Sequence, residues 1–326
     1  MSNILYRFIV EIPVKISITT EQLWNTLDRA AFGTWLQSYP DEVISFANRN
    51  FSLFSTRMES QPLKFIYQDK VDCQVRKSNI TYLAPLMDLQ TLTYEDIEAA
   101  VGDFFDKYVA PQKRQFAVVS GDLQVWEKLF LLHARQPDKY MWMIPMPGEW
   151  HWTWHIVQGI FRRYYYTILL PFAKLIGFKQ LDKDAKNFHY AEDFLQMVTI
   201  GIYQWIAKEM ANSIHQTAVA WLSSISGNHI VYELAYACIH YFIPYWITRS
   251  ALKWNRHEDM EDWWRYWVHL FHASGKFKYC LASIRFLMIM RQLHPSVKQV
   301  LDVHRVLSFT GDAGSGVPMD GVIELV

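Results

Sequence analysis

The hydrophobic pattern of residues 1–113 is mixed. Alternating apolar and polar positions in YRFIVEIPVKI predict a β-strand, whereas three- and four-residue apolar spacing in TEQLWNTLDRAAFGTWL and TYEDIEAAVGDFFDKYV predicts helices. Thr93, followed by Asp96, is typical of a helix capping box. We interpret this part of the chain as a mixed α/β accessory region that precedes the core.

Residues 114–154 carry a second pattern. FAVVS is a short apolar run that predicts a buried strand ending at Gly121 and Asp122. VWEKLFLLHAR then has helical spacing, and YMWMIPMP predicts a second strand. Because a strand–helix–strand order is typical of α/β sheets, we predict an α/β fold class with these residues as the first part of its core.

From residue 155 to residue 307 the pattern is helical almost throughout. Apolar positions recur every three or four residues in IVQGIFRRYYYTILL, AEDFLQMVTIGIYQWIAKEM, IVYELAYACIHYFI, DWWRYWVHLFH and KYCLASIRFLMIMRQL. We predict a large all-helical insertion. Residues 308–326 then pass through the turn TGDAGSGVP and reach MDGVIELV, which resembles the start of a helix near Pro318, cut short by the end of the sequence.

Composition limits which partners the protein can bind and which cellular compartment it occupies. Lys and Arg total 32, as do Asp and Glu, so any polyanion must be held by a local cluster of cations rather than by net charge. Cys73, Cys238 and Cys280 lack CxxC spacing, which indicates a reducing compartment and excludes a cysteine-built zinc site. Glu11 and Pro13 interrupt the N-terminal apolar run, so we predict no signal peptide and no secretion.

Two strongly apolar stretches, residues 164–178 and 230–247, raise the possibility of membrane insertion. Proline and charged residues interrupt both of them, so neither reaches the roughly twenty apolar residues that a membrane span needs. We predict buried helices and no membrane partner. Phosphate loops, dinucleotide-binding glycine motifs and GxSxG elbows are absent from the sequence, which disfavours nucleotide hydrolysis and acyl transfer.

Acidic residues follow each predicted strand. Asp122 ends the first strand and Glu149 lies in MPGEWHWTWH after the second, while Asp320 and Glu324 share one face of the predicted last helix. Strand ends of an α/β sheet are where ligands usually bind, and two divalent cations need several carboxylates on rigid elements. The alternative is structural: Asp122 as a helix cap, and Glu149 as a solvated turn residue.

GDLQVWEKL, IPMPGEWHWTWH and GVPMDGVIELV resemble three blocks of a transposon-associated domain-of-unknown-function family similar to the Kyakuja-Dileera-Zisupton transposases. The resemblance covers residues 114–326 and implies a ribonuclease-H-like core with a mixed sheet, interrupted by the helical block. It implies Asp122, Glu149 and Glu324 as the catalytic acids, with Asp320 as a further metal ligand. Two Mg²⁺ or Mn²⁺ ions would be the cofactors. Many such transposases have Asp where this chain has Glu149.

The function that the resemblance implies is metal-dependent cleavage of DNA phosphodiester bonds and strand transfer, in the nucleus or another reducing intracellular compartment. The helical insertion would position DNA or mediate self-association into a homo-oligomer. A catalytically inactive, transposon-derived DNA- or protein-binding module is the alternative. A third possibility is a structural helical protein whose acids are caps. Metal-dependent nicking of DNA separates the first function from the other two.

Further residues belong around this predicted site. His151 is predicted to orient Glu149 or a metal-bound water, and its i, i+4 spacing to His155 also fits a zinc site, although an HExxH motif is absent. The cations near the predicted site are candidate DNA contacts: Lys113, Arg114, Arg162 and Arg163. Tryptophans able to stack on bases, or else to form the core, are Trp152, Trp154, Trp263, Trp264 and Trp267.

Overall fold

The computed structural model describes residues 3–5, 8–11, 19–37, 80–83, 87–89, 93–111, 114–179, 181–213, 218–307, 315–318 and 320. Lys113, a predicted DNA contact, and Glu324, a predicted catalytic acid, lie outside these residues. The described part is mostly helical and contains a small parallel sheet, so the predicted combination of a sheet with a helical block is confirmed at that level.

The parallel sheet is formed by β5 (Ala117–Gly121) and β6 (Met143–Pro147), which are joined by α3 (Leu123–Arg135) and the short α4 (Pro137–Tyr140). All of β6 is buried, whereas β5 is half-buried. The strand–helix–strand prediction for this part of the chain is therefore confirmed. Because the strands run in parallel and Gly121 pairs with Pro147, the residues that follow them start from the same edge.

Helices make up nearly all of the described residues from 149 to 304. They are α5 (Glu149–Tyr164), α6 (Leu170–Ile176), α7 (Phe188–Ala211), α8 (Ala218–Ser224), α9 (His229–Ala237), α10 (Ile243–Lys253), α11 (His257–Ala273), α12 (Phe277–Gln292) and α13 (Pro295–His304). The first of them begins at Glu149, so the predicted boundary between residues 154 and 155 falls inside a helix. The stretch MPGEWHWTWH is the end of a strand and the first turns of this helix.

Tryptophans fill the centre of the helical block. Trp152 stacks on Trp264 with 4.0 Å between ring centroids, and both are buried. Trp263 and Trp267 are also fully buried, and the Trp154 indole nitrogen donates a hydrogen bond to the Ala185 carbonyl. Four of these side chains are therefore core residues, each contributing about 2–3 kcal/mol of burial free energy, and the partly buried Trp154 packs against that core. The structural interpretation of these tryptophans is correct.

A smaller core lies under the accessory helix α2 (Tyr94–Phe104), which packs on α3. The Thr93 side chain accepts a hydrogen bond from the Asp96 backbone N–H, and the Asp96 carboxylate accepts one from the Thr93 N–H, so the predicted capping box is confirmed. Glu98 of the same helix accepts a hydrogen bond from the hydroxyl of Tyr140 at 2.8 Å, which ties it to the chain segment that enters β6.

The described residues of the N-terminal region form two antiparallel strand pairs and one further helix. β1 (Asn3–Leu5) pairs with β4 (Met87–Leu89), and β2 (Phe8–Glu11) pairs with β3 (Ile80–Leu83). The remaining elements are α1 (Arg29–Gln37) and a 3₁₀ turn at Thr20–Gln22. The Trp24 indole nitrogen donates to the Met141 carbonyl at 2.9 Å, and the Asn25 N–H donates to that of Gln292, so this region is anchored to the helical block.

Five-residue π-helical turns occur in the described ranges at Phe105–Val109, Tyr165–Leu169 and Cys238–Phe242. The last two turns are followed by Pro171 and Pro244 in the first turn of the next α-helix. A proline has no N–H and clashes with the preceding turn, and a wider turn accommodates that clash without breaking the helix. The stretch 230–247 is mostly buried, as predicted. The stretch 164–178 is helical but only partly buried, since Leu175 and Ile176 are 81% and 51% exposed, so the prediction of a buried helix is wrong there.

The chain ends its described course in a short antiparallel pair, β7 (Val306–Leu307) and β8 (Val317–Pro318). Pro318 therefore belongs to a strand, and the helix predicted for MDGVIELV falls on residues that, apart from Asp320, lie outside the described part of the chain. Any helix that includes Glu324 lies outside the described residues. Among the helices of the described ranges, none combines the length and apolar character that crossing a membrane requires.

Candidate functional site at the carboxyl edge of the parallel strands

The carboxyl edge of β5 and β6 brings three sequence-distant segments together. The Gly148 N–H donates a 2.8 Å hydrogen bond to the Gly121 carbonyl, which fixes the two strand ends side by side. A Cβ atom on Gly148 would lie 2.3 Å from the Asp320 Oδ2 atom, so only glycine fits there. The backbones of Asp122, Glu149 and Asp320 consequently lie close together at this edge, although their side chains make different contacts.

Asp122 caps a helix. Its Oδ1 atom accepts a 2.9 Å hydrogen bond from the Val125 N–H in the first turn of α3, and the residue occupies the N-cap position. Such a bond satisfies one of the backbone donors that a helix start leaves without a partner, and it contributes about 1 kcal/mol. The structure therefore shows Asp122 as a helix cap, which is the structural alternative considered from the sequence.

Glu149 points into the protein and is only 5% exposed. Its Oε1 atom forms an ion pair with the Arg305 guanidinium and accepts a 3.3 Å hydrogen bond from the Trp264 indole N–H. Burial raises the pKa of this carboxyl above its ordinary value, and the nearby Asp320 charge acts in the same direction. Arg305 and Trp264 lower the pKa but do not outweigh burial. Glu149 is therefore not the solvated turn residue of the structural alternative.

Arg305 is the partner that sequence reasoning missed. It is 4% exposed, follows α13 and reaches Glu149 across 156 residues of sequence. Its Nε and Nη1 atoms are buried without a hydrogen-bond partner, and the nearest carboxylate to Nη1 is that of Asp302, at 3.9 Å. The guanidinium lies 5.4 Å from the centre of the Phe286 ring. The pair thus neutralises two charges but leaves part of the arginine unsatisfied, which is costly inside a protein.

Asp320 caps the start of α5. Its two carboxylate oxygens accept hydrogen bonds from the Trp150 N–H at 2.9 Å and the His151 N–H at 3.0 Å. The His151 ring Nδ1 also lies 3.0 Å from Oδ2. A negative charge at a helix N-terminus is stabilised by the helix dipole as well as by these bonds. The sequence predicts that His151 orients Glu149, but the carboxylate that it contacts here is that of Asp320.

These contacts decide whether the described carboxylates fit two divalent cations. A guanidinium bonded to Glu149 repels a cation from the same oxygen, and both oxygens of Asp320 already accept hydrogen bonds. Within the described part of the chain, no group of three or more His, Cys, Asp and Glu residues is arranged to hold a metal ion. In the described conformation, these three acids do not fit the predicted two-metal site.

A small pocket opens beside the ion pair. Its wall is formed by both parallel strands, the end of α13 and the two acids, namely Val118, Ser120, Met146, Pro147, Glu149, Leu301, Arg305 and Asp320. The lining is mainly apolar, and its charged groups already bind one another or the backbone at the start of α5. The pocket therefore adds a cavity to the strand edge, but its charged lining groups are already engaged within the protein.

One polar face of α5 continues from this edge. His151, His155, Gln158 and Arg162 are spaced by three and four residues and so lie on one side of the helix. The Lys276 ammonium lies 2.6 Å from His155 Nδ1 and donates a 2.6 Å hydrogen bond to the Gln158 side-chain carbonyl. This lysine, which comes from the turn between α11 and α12, was not identified from the sequence.

Lys276 and His155 lose basicity in this position. Burial, helped by the Arg162 charge and opposed by that of Asp184, lowers the pKa of Lys276 to about 8. Burial, followed by the Lys276 charge, lowers the pKa of His155 to about 3. Neutral His155 can thus accept a hydrogen bond from charged Lys276, while its ring packs on Tyr279 at 3.8 Å. The alternative zinc pair of His151 and His155 has no support here, because both rings bind protein groups.

The predicted DNA-contact residues separate into different surfaces. Arg162 is exposed and forms a 3.4 Å ion pair with Asp184, near Lys276. Arg163 instead lies over the rings of Tyr164 and Tyr241. Arg114 precedes β5, and it therefore lies toward the end of the sheet opposite the acids. The structure brings Arg162, but not these other described arginines, to the polar face of α5.

Comparison with known proteins adds no identity to this geometry. No protein-family model, curated protein or solved structure matches the chain. The likeness to transposases consequently rests on the three short sequence blocks alone. The function of the chain has to be inferred from the contacts at the strand edge and on α5.

Proposed function

We propose that this chain is a transposon-derived DNA-binding module and that the acids at its strand edge stabilise the fold. The observation that carries the proposal is the buried ion pair between Glu149 and Arg305. It places a positive charge where the cleavage mechanism requires a metal ligand. The second of the functions considered from sequence is thus the one that the geometry supports best.

The DNA-binding surface of this proposal lies where α5 meets the loop before α7. The loop carries three exposed lysines, Lys179, Lys183 and Lys186. The neighbouring elements add two further cations, the exposed Arg162 and the half-buried Lys276. The acidic residues of the same loop are Asp182 and Asp184. Cations therefore outnumber anions on this surface although the whole chain has no net charge, and such local clusters bind phosphates.

A ribonuclease-H-like core is the fold that we propose for the part of the protein around this sheet. The parallel β5–α3–β6 unit supports it, because its acids follow the carboxyl ends of the strands and a helical block follows in the chain. Self-association and a nuclear location belong to the same proposal and remain predictions.

The experiment that tests DNA binding measures affinity for a labelled duplex by fluorescence anisotropy over a range of salt concentrations. Arg162→Ala should weaken binding and reduce the slope of log affinity against log salt by about one phosphate contact. Arg163→Ala is the matched control, since this neighbouring arginine packs on tyrosine rings on a different side of α5. Absence of salt-sensitive binding by the parent protein would refute the proposed function.

Metal-dependent DNA cleavage is the second candidate function. It is favoured because Asp122, Glu149 and Asp320 all lie at a single edge of the sheet. A nicking assay in Mg²⁺ and in chelator separates it from binding alone. Under the main proposal, the parent protein and Glu149→Gln both bind DNA and neither nicks it. Nicking by the parent protein that Glu149→Gln abolishes would instead establish the second candidate.

A further inference from the structure

The corner between α11 and α12 exposes an aromatic side chain among cations. Phe277 is the first residue of α12 and is 61% exposed, although large apolar side chains of this protein are mostly buried. Its ring contacts only the edge of the exposed His272 ring, at 5.4 Å between centroids, among the ring contacts that the structure describes. Exposure of this size costs burial energy, so the position is a candidate for contact with a partner.

Lysines precede and follow this phenylalanine. Lys276 ends the α11–α12 turn, and Lys278 is exposed on the first turn of α12. Gly275, with φ of +73°, allows the left-handed turn that places Lys276 against α5 and leaves the Phe277 ring outside. The order Lys–Phe–Lys therefore presents one flat apolar ring between two positive charges.

The electrostatic surroundings restrict what this corner can bind. Lys276 faces Arg162, His155, Gln158 and Asp184, and the only carboxylate among these groups is already paired with Arg162. Burial, followed by the charges of the strand-edge acids Asp122 and Asp320, raises the pKa of the Tyr279 hydroxyl. An anionic ligand is thus attracted to the lysines and repelled from the edge beyond Tyr279.

We propose that the α11–α12 corner binds an unpaired segment of DNA, with Phe277 stacked on a base and the exposed Lys278 bound to a flanking phosphate, while the charge of Lys276, held against α5 by Gln158, attracts the strand. The inference rests on the proposed DNA-binding function and adds the form of DNA that is preferred. A base in a duplex is covered by its neighbours, whereas an unpaired base offers a free face to an aromatic ring. Lysines beside that ring supply the sequence-independent attraction to phosphate.

The alternative occupant of an exposed apolar side chain is a second copy of the protein. Leu281 lies one turn after Phe277 and is 44% exposed, so the two residues form a small apolar strip on α12. The charges beside the strip favour DNA, because two like-charged lysine pairs would meet across a symmetric dimer interface. Light scattering on the parent protein and on Phe277→Ala distinguishes the two occupants.

The experiment compares a short labelled single-stranded oligonucleotide with the same strand annealed to its complement, using the whole 326-residue chain. The parent protein should bind the single strand more tightly, and Phe277→Ala should weaken single-strand binding about tenfold while leaving duplex binding nearly unchanged. Phe277→Tyr should retain the affinity, since it keeps a flat ring. Leu281→Ala, which removes an exposed apolar side chain without a ring, is the matched control.

Lys278→Gln supplies an independent measurement. It should reduce the salt slope of single-strand binding by roughly one phosphate contact or somewhat less. Duplex binding without preference for the single strand, equal effects of Phe277→Ala and Leu281→Ala, or a self-association that Phe277→Ala abolishes would each overturn the inference and leave the proposed function standing. Failure of the parent protein to bind either form of DNA would overturn both.

Discussion

Two glutamate–arginine pairs with little exposure lie among the described residues: one inside the helical block, with side chains 12% and 13% exposed, and one at the strand edge, which is fully buried. In the helical block, Glu192 receives hydrogen bonds from Arg249 Nε at 2.6 Å and Nη2 at 3.4 Å, and from the Tyr245 hydroxyl. At the strand edge, Glu149 receives a single guanidinium bond and a longer bond from an indole. The first carboxylate is better satisfied than the second.

This difference appears in the acidities of the two residues. Burial opposes ionisation of Glu192, but the charge and hydrogen bonds of Arg249 together with the Tyr245 bond outweigh it and lower its pKa. For Glu149 the balance is reversed, so its pKa is raised. Two buried ion pairs can therefore differ in how much they stabilise a protein, because the stabilisation depends on how many donors surround the carboxylate.

The largest effects are expected when the arginines are removed. Arg249→Met leaves Glu192 buried with one hydroxyl donor, which should lower the free energy of unfolding by about 3–5 kcal/mol. Arg305→Met should cost less, about 2 kcal/mol, because Glu149 takes up a proton more readily. Urea unfolding at pH 7 measures both. Equal losses for the two variants would show that the pairs are equivalent.

Asp320→Ala should cause the next largest loss of folding stability. It removes the acceptor of two backbone N–H groups at the start of α5 and the partner of His151, so we expect a loss of about 2 kcal/mol. Asp320→Asn keeps an acceptor and should lose less. Hydrogen exchange of the Trp150 and His151 amides should speed up in the alanine variant. Unchanged exchange would mean that the cap contributes little.

Asp122 provides a smaller and sharper test of capping against metal binding. Asp122→Ala should destabilise the protein by about 1 kcal/mol, and Asp122→Ser should restore most of that loss, since serine caps helices as well as aspartate does. A serine hydroxyl does not replace a carboxylate as a ligand for Mg²⁺. Thermal melts of both variants, with and without Mg²⁺, decide between the two roles. A stabilisation by Mg²⁺ that Asp122→Ser loses would contradict the capping role.

The pH dependence should show opposite signs for the two pairs, as the smallest of these effects. The raised pKa of Glu149 gives a contribution to stability that is fully present below about pH 4.5 and is lost as pH rises through the folded-state pKa. The lowered pKa of Glu192 gives a contribution that is present above about pH 4.5 and lost as pH falls below it. The stability difference between the parent and each of Glu149→Gln and Glu192→Gln, measured from pH 4 to 7 by urea unfolding, should therefore slope in opposite directions. Parallel slopes would refute the comparison.

Sequence patterns predicted the features that depend on neighbouring residues. The β5–α3–β6 unit, the capping box at Thr93 and the buried helices all follow from local periodicity and local capping chemistry. The pattern also suggested the acids at the strand ends, and Asp122 and Glu149 do follow adjacent parallel strands. These are the parts of the molecule in which partners are close in sequence or follow from the order of elements.

The roles of the acids depended on distant partners. Arg305 and Asp320 approach α5 from more than 150 residues away, so neither the ion pair of Glu149 nor the cap of the helix leaves a local signal. The start of α5 at Glu149 was missed for the same reason, because its capping residue is Asp320 rather than an adjacent side chain. Phe277 was overlooked because periodicity assigns apolar residues to the core, and exposure of one ring cannot be inferred from spacing.

The cap of α5 by Asp320 also has a consequence for the time course of folding. The hydrogen bonds join residues 169 and 170 positions apart, so the N-terminal turn of α5 remains without this partner until almost the whole described chain has been synthesised. Synthesis proceeds at about 5–20 residues per second, and contacts of such long range form late. The contacts at the strand edge are therefore expected to form last, after the helices between α5 and β8 have packed.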